Sequence, residues 1–592
     1  MKTLRLTILV SVIILLALSC KRDKPSNLNL DFEQIDFKTR LPVNWYFGES
    51  PFYKYSIDSS VVYHGKYSIK LESVGSDGSQ HDNIAGFRII NNIKPVKRIR
   101  LTAFIKTEST NADSSGIIIG YDNFESDTTK LLRDMSLTGT NDWKELSIDL
   151  QVKGDIDFYI IGVCLYGTGK IWIDDLKLYA DDIQLLKSPY DEDYKASAKE
   201  LVWLESKSIP IKTAQPGSRF EDLEPLKEKF RDARIIGLGE NTHGSSEVFK
   251  MKHRLIEFLA TEMGFTILSV EVGMPEAYIL NDYVINGNGN PKEIIKNWGF
   301  YLNNQEFLDM IVWMKKFNDS GKGRIQFTGF DMQFIAGALN NLSDYAKKYD
   351  KTLKASIDTI SVLVDNLKSK ESEIFESTSE IESIKHKCEE VLTYLSENRN
   401  SIIHFINDKE YKWLVQNASI MVQSSDISNL TGTGFRDKCM AKNIDWILEN
   451  NPDAKIVLWA HNYHISKQKG SMGHYLSEKY GKKYFNIGFL SNSGTYTAVY
   501  SGRVVSTNFL VEGRPGSFEY SFHKIRSPYF FFDFGQIHEE DSKSNWLTNR
   551  LNFRDIGAVA KENQFIPARI SKMFNSVIYI DSTHASHCFS IY

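Results

Sequence analysis

The chain has 592 residues, of which 42% are hydrophobic and 25% charged, and a formal net charge of −4. That length exceeds one ordinary domain and leaves room for roughly two to four. A slightly acidic balance supplies no basic surface of the kind a phosphate backbone needs, so no nucleic acid is expected as a partner.

Lys2 and Arg5 precede the apolar run Leu6–Leu18, which is too short for a comfortable membrane span. The run ends Leu16-Ala17-Leu18-Ser19-Cys20, which resembles a bacterial lipoprotein signal with Cys20 as the lipidated residue; Ala17 stands where Leu is commoner. A plain signal peptide or an uncleaved anchor is the alternative, and each takes the protein out of the cytoplasm. The expectation is an exported protein, lipid-anchored to a bacterial membrane at the periplasmic face or the cell surface. Residues 21–27 read as a polar tether. Cys164, Cys388, Cys439 and Cys588 form no CxxC pair, which gives no zinc-knuckle or thioredoxin signal and favours isolated buried thiols.

From residue 28 to 182 short alternating runs recur, among them YSIDSSVVY, RIRLTAFIKT, WKELSIDLQV and KIWIDDLKLY, separated by Gly, Asn and Asp clusters. Short strands at regular spacing predict an antiparallel β-sandwich. The opening NLDFEQ, the segment HGKYSIKLES, the strand holding Trp143 and the closing KIWIDDLKLY resemble jelly-roll carbohydrate-binding modules. That resemblance implies a possible glycan partner at this domain. Trp45, Tyr46, Phe52 and Tyr53 are candidate sugar-stacking aromatics, with core or loop packing as the other reading.

The helix period returns from Tyr194, in YKASAKELVWLESKS, and marks the domain boundary; residues 195–592 form the second domain. Apolar runs then alternate with helical stretches: IIGLG, FTILSVEVG, RIQFTGFDMQ, KIVLWAHNYH and YFNIGFL. Continuous apolar strands spaced by helices predict an α/β domain with a largely parallel sheet covered on both faces. Residues 335–450 read as a helical insertion, whose Lys/Glu/Ser-rich part (350–400) looks like a solvated hairpin. The final hundred residues mix strand-like pieces that the pattern does not order.

Chemistry gathers where these runs end. The first releases Glu240 and His243, the second Glu271, the third Asp331, the fourth His461 and His464, and the fifth Ser491 and Asn492. Parallel strands place all these ends on one rim, where α/β sheets bind ligands. Asp331 could instead cap the helix that follows it, and His253 could face either the site or the neighbouring layer.

GLGENTHG, GFTILSVEVGMPEAYILNDYV, FTGFDMQ, VLWAHNYH followed by SMGHYL, and IGF resemble the erythromycin esterase family from about Lys195 onward. The resemblance implies hydrolysis of a macrolide lactone or another carboxylic ester, with His243 activating water and Glu240, Glu271, His461 and His464 lining the site. It also implies action without a cofactor. Lys252 stands where the family often has Arg, which keeps the charge and loses the two-pronged fork. Lys252, His253 and Asp331 are the candidate substrate or oxyanion contacts. No GxSxG elbow is present, so a covalent serine route is disfavoured even with Ser245 and Ser246 nearby. Three alternatives stand beside this reading: an esterase acting on acylated glycans, a glycan-binding surface lipoprotein without catalysis, and a zinc hydrolase using His243, His461, His464 and a Glu, although no HExxH is present.

Overall fold

A computed structural model describes residues 28–589 except 37–39, 44, 48–52, 75–83, 92–95, 123–129, 154–155, 157, 166, 187–193, 370–377, 427–433, 501–502, 539 and 562–563. The signal segment, Cys20, the tether and Phe52 lie outside the described residues. Among those described, no helix is long and apolar enough to cross a membrane. The chain divides into two compact units between Asp191 and Glu192.

The first unit contains β1 (Tyr46–Phe47), β2 (Tyr53–Asp58), β3 (Ser68–Ser73), β4 (Ile84–Asn91), β5 (Arg98–Asp122), β6 (Lys130–Gln151), β7 (Phe158–Leu165), β8 (Lys170–Ala180) and β9 (Ile183–Gln184). Every pairing among them is antiparallel, and they join in one sheet of order β1-β4-β7-β5-β8-β3-β2, with β6 on β5 and β9 on β8. The 25-residue β5 makes this continuity possible: its first half pairs with β8, its second half with β7, and the register shifts between them. Ile99, Leu101, Ala103 and Ile105 alternate into the core as the strand period requires. Two of the candidate sugar-stacking aromatics prove to be core: Trp45 and Tyr53 are buried, and the Trp45 indole donates to the Asn29 carbonyl at 2.9 Å. A buried ring presents no face to a ligand.

The second unit opens on the helix Ala198–Lys207, started by a reciprocal cap between Ser197 and Glu200. Its strands are β10 (Ile209–Pro210), β11 (Ile235–Leu238), β12 (Ile267–Gly273), β13 (Gln326–Asp331), β14 (Ile456–Trp459), β15 (Tyr484–Tyr500), β16 (Arg503–Leu510), β17 (Tyr529–Asp533), β18 (Leu551–Arg554), β19 (Phe565–Ala568) and β20 (Ser576–Thr583). Nine of them form a mixed sheet of order β10-β17-β20-β15-β11-β14-β12-β13, with β16 on β15, and β18 pairs with β19 apart from it. From β20 to β13 every neighbour is parallel; β10–β17, β17–β20 and β15–β16 are antiparallel. The runs are apolar throughout because alternate residues feed opposite cores: Ile456 and Leu458 pack on one face, Val457 and Trp459 on the other. The fifth run does not end at Ser491 and Asn492; β15 continues to Tyr500, since it gains β16 as a second partner.

Helices cover both faces. The helix Ser246–Met263 buries Val248, Phe249, Met251, Leu255, Ile256, Phe258 and Leu259, each worth roughly 1.5–3 kcal/mol of burial, and Gly264 stops it at φ +70°. The 350–400 hairpin is charged outside yet anchored by an apolar stripe: Leu353, Ile357, Ile360, Ile384, Cys388, Val391 and Leu395 are all buried in one core. Among the described residues Cys164, Cys388, Cys439 and Cys588 form no disulfide.

Candidate active site

The turn after β11 is built by close backbone approach. Gly239 donates its N–H to the Ile487 carbonyl at 2.9 Å, and the Gly244 carbonyl accepts the Thr497 N–H at 2.9 Å. A Cβ on Gly244 would run into the Thr497 carbonyl, so only glycine fits there. The turn thus presents Glu240 inward and His243 toward a cleft at the carboxyl ends of the parallel strands. His243 Nδ1 lies 2.5 Å from Glu240 Oε1. The other carboxylate oxygen accepts from Lys252 Nζ at 2.6 Å and from the Trp459 indole at 2.9 Å. Lys252 is fully buried because Val248, Phe249, Leu255 and Ile256 share its side of the helix; its ammonium also stands 4.4 Å over the Trp459 ring. Burial alone would push Glu240 up, but Lys252 and His243 offset it and hold the carboxyl below its ordinary range. Lys252 itself is pushed down to about 8 by burial, with Glu240 opposing.

A second network fills the β12–β13 side. Arg436, from the helix Phe435–Glu449, donates to Asp331 at 2.6 and 3.1 Å and to Glu271 at 2.8 Å. His464 sits between two carboxylates, with Nε2 3.3 Å from Glu271 and Nδ1 2.8 Å from Asp437. Burial opposes its charge, but Glu271 and Asp437 raise it to about 10, so an imidazolium persists at neutral pH. Glu271 is held well below its ordinary value: burial works against ionisation, and His464 and Arg436 overcome it.

His461 occupies the wall facing His243, with ring centroids 5.2 Å apart. Its Nδ1 accepts the Tyr463 N–H at 3.3 Å, and its Nε2 lies 3.1 Å from Asp555 Oδ1. Burial pushes His461 down to about 4, leaving it neutral.

One cleft of about 360 Å³ is lined by Glu240, His243, Glu271, His461 and His464, five of the eight residues expected from the strand ends, together with Tyr301, Trp459 and others; Asp331, Ser491 and Asn492 are not among its lining. Lys252 and Asp331 do not line it; they act beneath the surface, on Glu240 and Arg436. Asp331 caps no helix, since its carboxylate accepts from Met332 N–H and binds Arg436. The expectation for His253 as a substrate contact fails: its ring packs 5.7 Å from Trp313 and 3.4 Å from Glu257, away from the cleft lining, because its helix turns that side toward the layer beneath. Ser246 is bonded to Glu306 at 2.6 Å, and neither Ser245 nor Ser246 lines the cleft. Sequence reasoning missed Arg436, Asp437, Tyr301, Trp459 and Asp555. Trp459 stood inside the apolar run already noted, where its indole N–H was the available sign of a polar partner.

Of the side chains proposed as zinc ligands, His464 is held by Glu271 and Asp437, His461 by the Tyr463 N–H at Nδ1 and His243 by Glu240 at Nδ1, while Arg436 already pairs with Glu271. Among the described residues no group of three or more His, Cys, Asp or Glu is arranged to hold a metal ion.

A family model described as erythromycin esterase matches residues 260–583. Erythromycin esterase type II of Escherichia coli is 26% identical over 423 residues, covering 65% of this chain and 98% of that protein. A Bacillus cereus protein of solved structure is 28% identical, covers 68% of this chain and 100% of its own, and superposes with a TM-score of 0.59. The structure of a carbohydrate-binding module in complex with β-1,4-galactotriose covers 26% of this chain and 99% of its own, at 17% identity and a TM-score of 0.20.

Proposed function

Since the chain belongs to the erythromycin esterase family, we propose that it is a hydrolase cleaving a carboxylic ester or lactone by attack of water activated at His243. The observation that carries this reading is the 2.5 Å contact between His243 Nδ1 and Glu240. With Nδ1–H donated to the carboxylate, Nε2 keeps its lone pair and can take a proton from water as the oxygen adds to the carbonyl carbon. Glu240 then stabilises the imidazolium, and Lys252 and Trp459 keep Glu240 ionised and still. The charge developing on the carbonyl oxygen falls in the field of Arg436 and His464, both of which line the cleft. Collapse of the adduct breaks the bond to the alcohol oxygen, which recovers the proton from His243. No serine takes part.

A general base of this kind contributes roughly 10²- to 10⁴-fold. His243→Ala is therefore expected to lose that much rate in a mass-spectrometric screen of purified protein against macrolide lactones and acylated glycans. Wild-type turnover by this variant would refute the assignment, and the screen distinguishes the two substrate classes. The proposal includes the jelly-roll, carbohydrate-binding-like reading of the first unit and a lipid anchor on Cys20. Cys20→Ser is expected to release the protein from the membrane fraction; unchanged membrane retention would refute the anchor.

A further inference from the structure

Asp555 is a charged cleft residue that neither the strand pattern nor the mechanism above uses. It follows β18, and its position is set from both sides. The Arg554 guanidinium is buried and donates to the Ser491 and Asn492 carbonyls at 3.0 and 2.9 Å. On the other side Ile556 N–H is bonded to the Asn241 carbonyl at 2.9 Å, inside the His243 turn. Asp555 is thereby held against the wall that carries His461. No lysine or arginine among the described residues pairs with its carboxylate; Lys561 reaches only its main-chain oxygen.

The two facing atoms, His461 Nε2 and Asp555 Oδ1, are both buried, and each lacks a hydrogen-bond partner. They lie 3.1 Å apart but are not aligned with one another. The tautomer follows from the other ring nitrogen: Nδ1 accepts Tyr463 N–H, so Nε2 carries the proton. The wall therefore offers one unsatisfied donor beside one unsatisfied acceptor, and leaving either bare is costly. A hydroxyl group satisfies both at once, accepting from Nε2–H and donating to Oδ1.

We infer that His461 and Asp555 form the subsite for the alcohol half of the substrate, holding the ester's leaving oxygen. This deepens, and rests on, the ester-hydrolase reading. As the carbon–oxygen bond breaks, the leaving oxygen takes up negative charge and accepts a hydrogen bond from His461 Nε2–H, which keeps its proton. The proton removed from water returns from the His243 imidazolium to that oxygen. The new hydroxyl then donates to Asp555 Oδ1. His461 therefore matters most when the leaving group is a poor one, because charge concentrates on an alkyl oxygen more than on a nitrophenyl oxygen, and Asp555, whose carboxylate lies 3.1 Å from Nε2, acts with it by favouring the Nε2–H tautomer that donates.

The test compares ethyl acetate with 4-nitrophenyl acetate, following acetate release by the full chain and by Asp555→Ala and Asp555→Asn. The ratio of kcat/KM for the alkyl ester to that for the aryl ester is expected to fall about 10- to 100-fold in Asp555→Ala. A smaller fall is expected in Asp555→Asn, which retains an acceptor. A merely structural role would lower both rates together and leave the ratio within threefold of wild type, which would overturn the inference. If the wild-type protein cleaves neither ester, a crystal of the full chain soaked in 2-propanol decides the subsite separately. An alcohol oxygen within hydrogen-bond reach of both His461 Nε2 and Asp555 Oδ1 supports the hydroxyl site, and none there overturns it.

Discussion

Replacing Lys252 by Met tests how the Glu240 carboxylate is kept charged. Methionine matches the length and apolar stem of lysine and removes only the ammonium. Glu240 then retains two of three donors, His243 at 2.5 Å and Trp459 at 2.9 Å, and loses the contact at 2.6 Å. Orphaning one member of a buried pair costs about 3–5 kcal/mol, and the two surviving donors place this case at about 3 kcal/mol. The sign depends on pH. In the wild type Glu240 is lowered, so its contribution is present above the ordinary carboxylate range and is lost as pH falls through the folded value. Without Lys252, burial prevails and the carboxyl moves up, so ionisation opposes folding as pH rises. Urea melts should therefore show a stability gap that is small near pH 4 and widens toward pH 7. Ester hydrolysis should fall about 100-fold at pH 7, because a neutral Glu240 stabilises the His243 imidazolium poorly. A gap below about 1 kcal/mol at pH 7, or one that does not change with pH, would refute the reasoning.

Four further outcomes are expected. Because Lys252 is held at about 8, kcat/KM should decline above roughly pH 8, and Lys252→Arg should move that limb to higher pH; an unchanged limb would assign it elsewhere. Arg436→Met strips the shared cation from Glu271 and Asp331 and should destabilise the fold by about 3 kcal/mol in a urea melt while lowering kcat. Glu257 is raised to about 7 by burial, so its ionisation erodes stability between about pH 4.5 and 7; Glu257→Gln should gain roughly 3 kcal/mol at pH 8, nothing near pH 4, and retain activity. Gly244→Ala forces a methyl against the Thr497 carbonyl and should cost about 2 kcal/mol by thermal melt, with kcat falling as the His243 turn shifts.

The site was legible in the sequence wherever a residue ends a buried parallel strand, and illegible where it arrives from elsewhere. Glu240, His243, Glu271, His461 and His464 follow strands whose apolar runs are unmistakable, and the common direction of those strands is enough to gather them. Lys252 is expected as a substrate or oxyanion contact, but the four apolar neighbours on its side of the helix direct it into the core, beneath Glu240 and not into the cleft. His253, one residue further along, is rotated about 100° away by the same helix geometry and so meets Trp313. Arg436 and Asp437 open a helix that reads as part of the helical insertion; nothing local separates a charged pair facing water from one in which Arg436 meets Glu271 and Asp331 across more than 100 residues of chain and Asp437 meets His464. Asp555 is the extreme case. It comes from a short strand outside the main sheet, and only the pairing of that loop with the His243 turn brings it to His461. Strand periodicity carries Glu240, His243, Glu271, His461 and His464 to the cleft. The positions of Arg436, Asp437 and Asp555 depend on contacts between separate segments, and no local pattern encodes them.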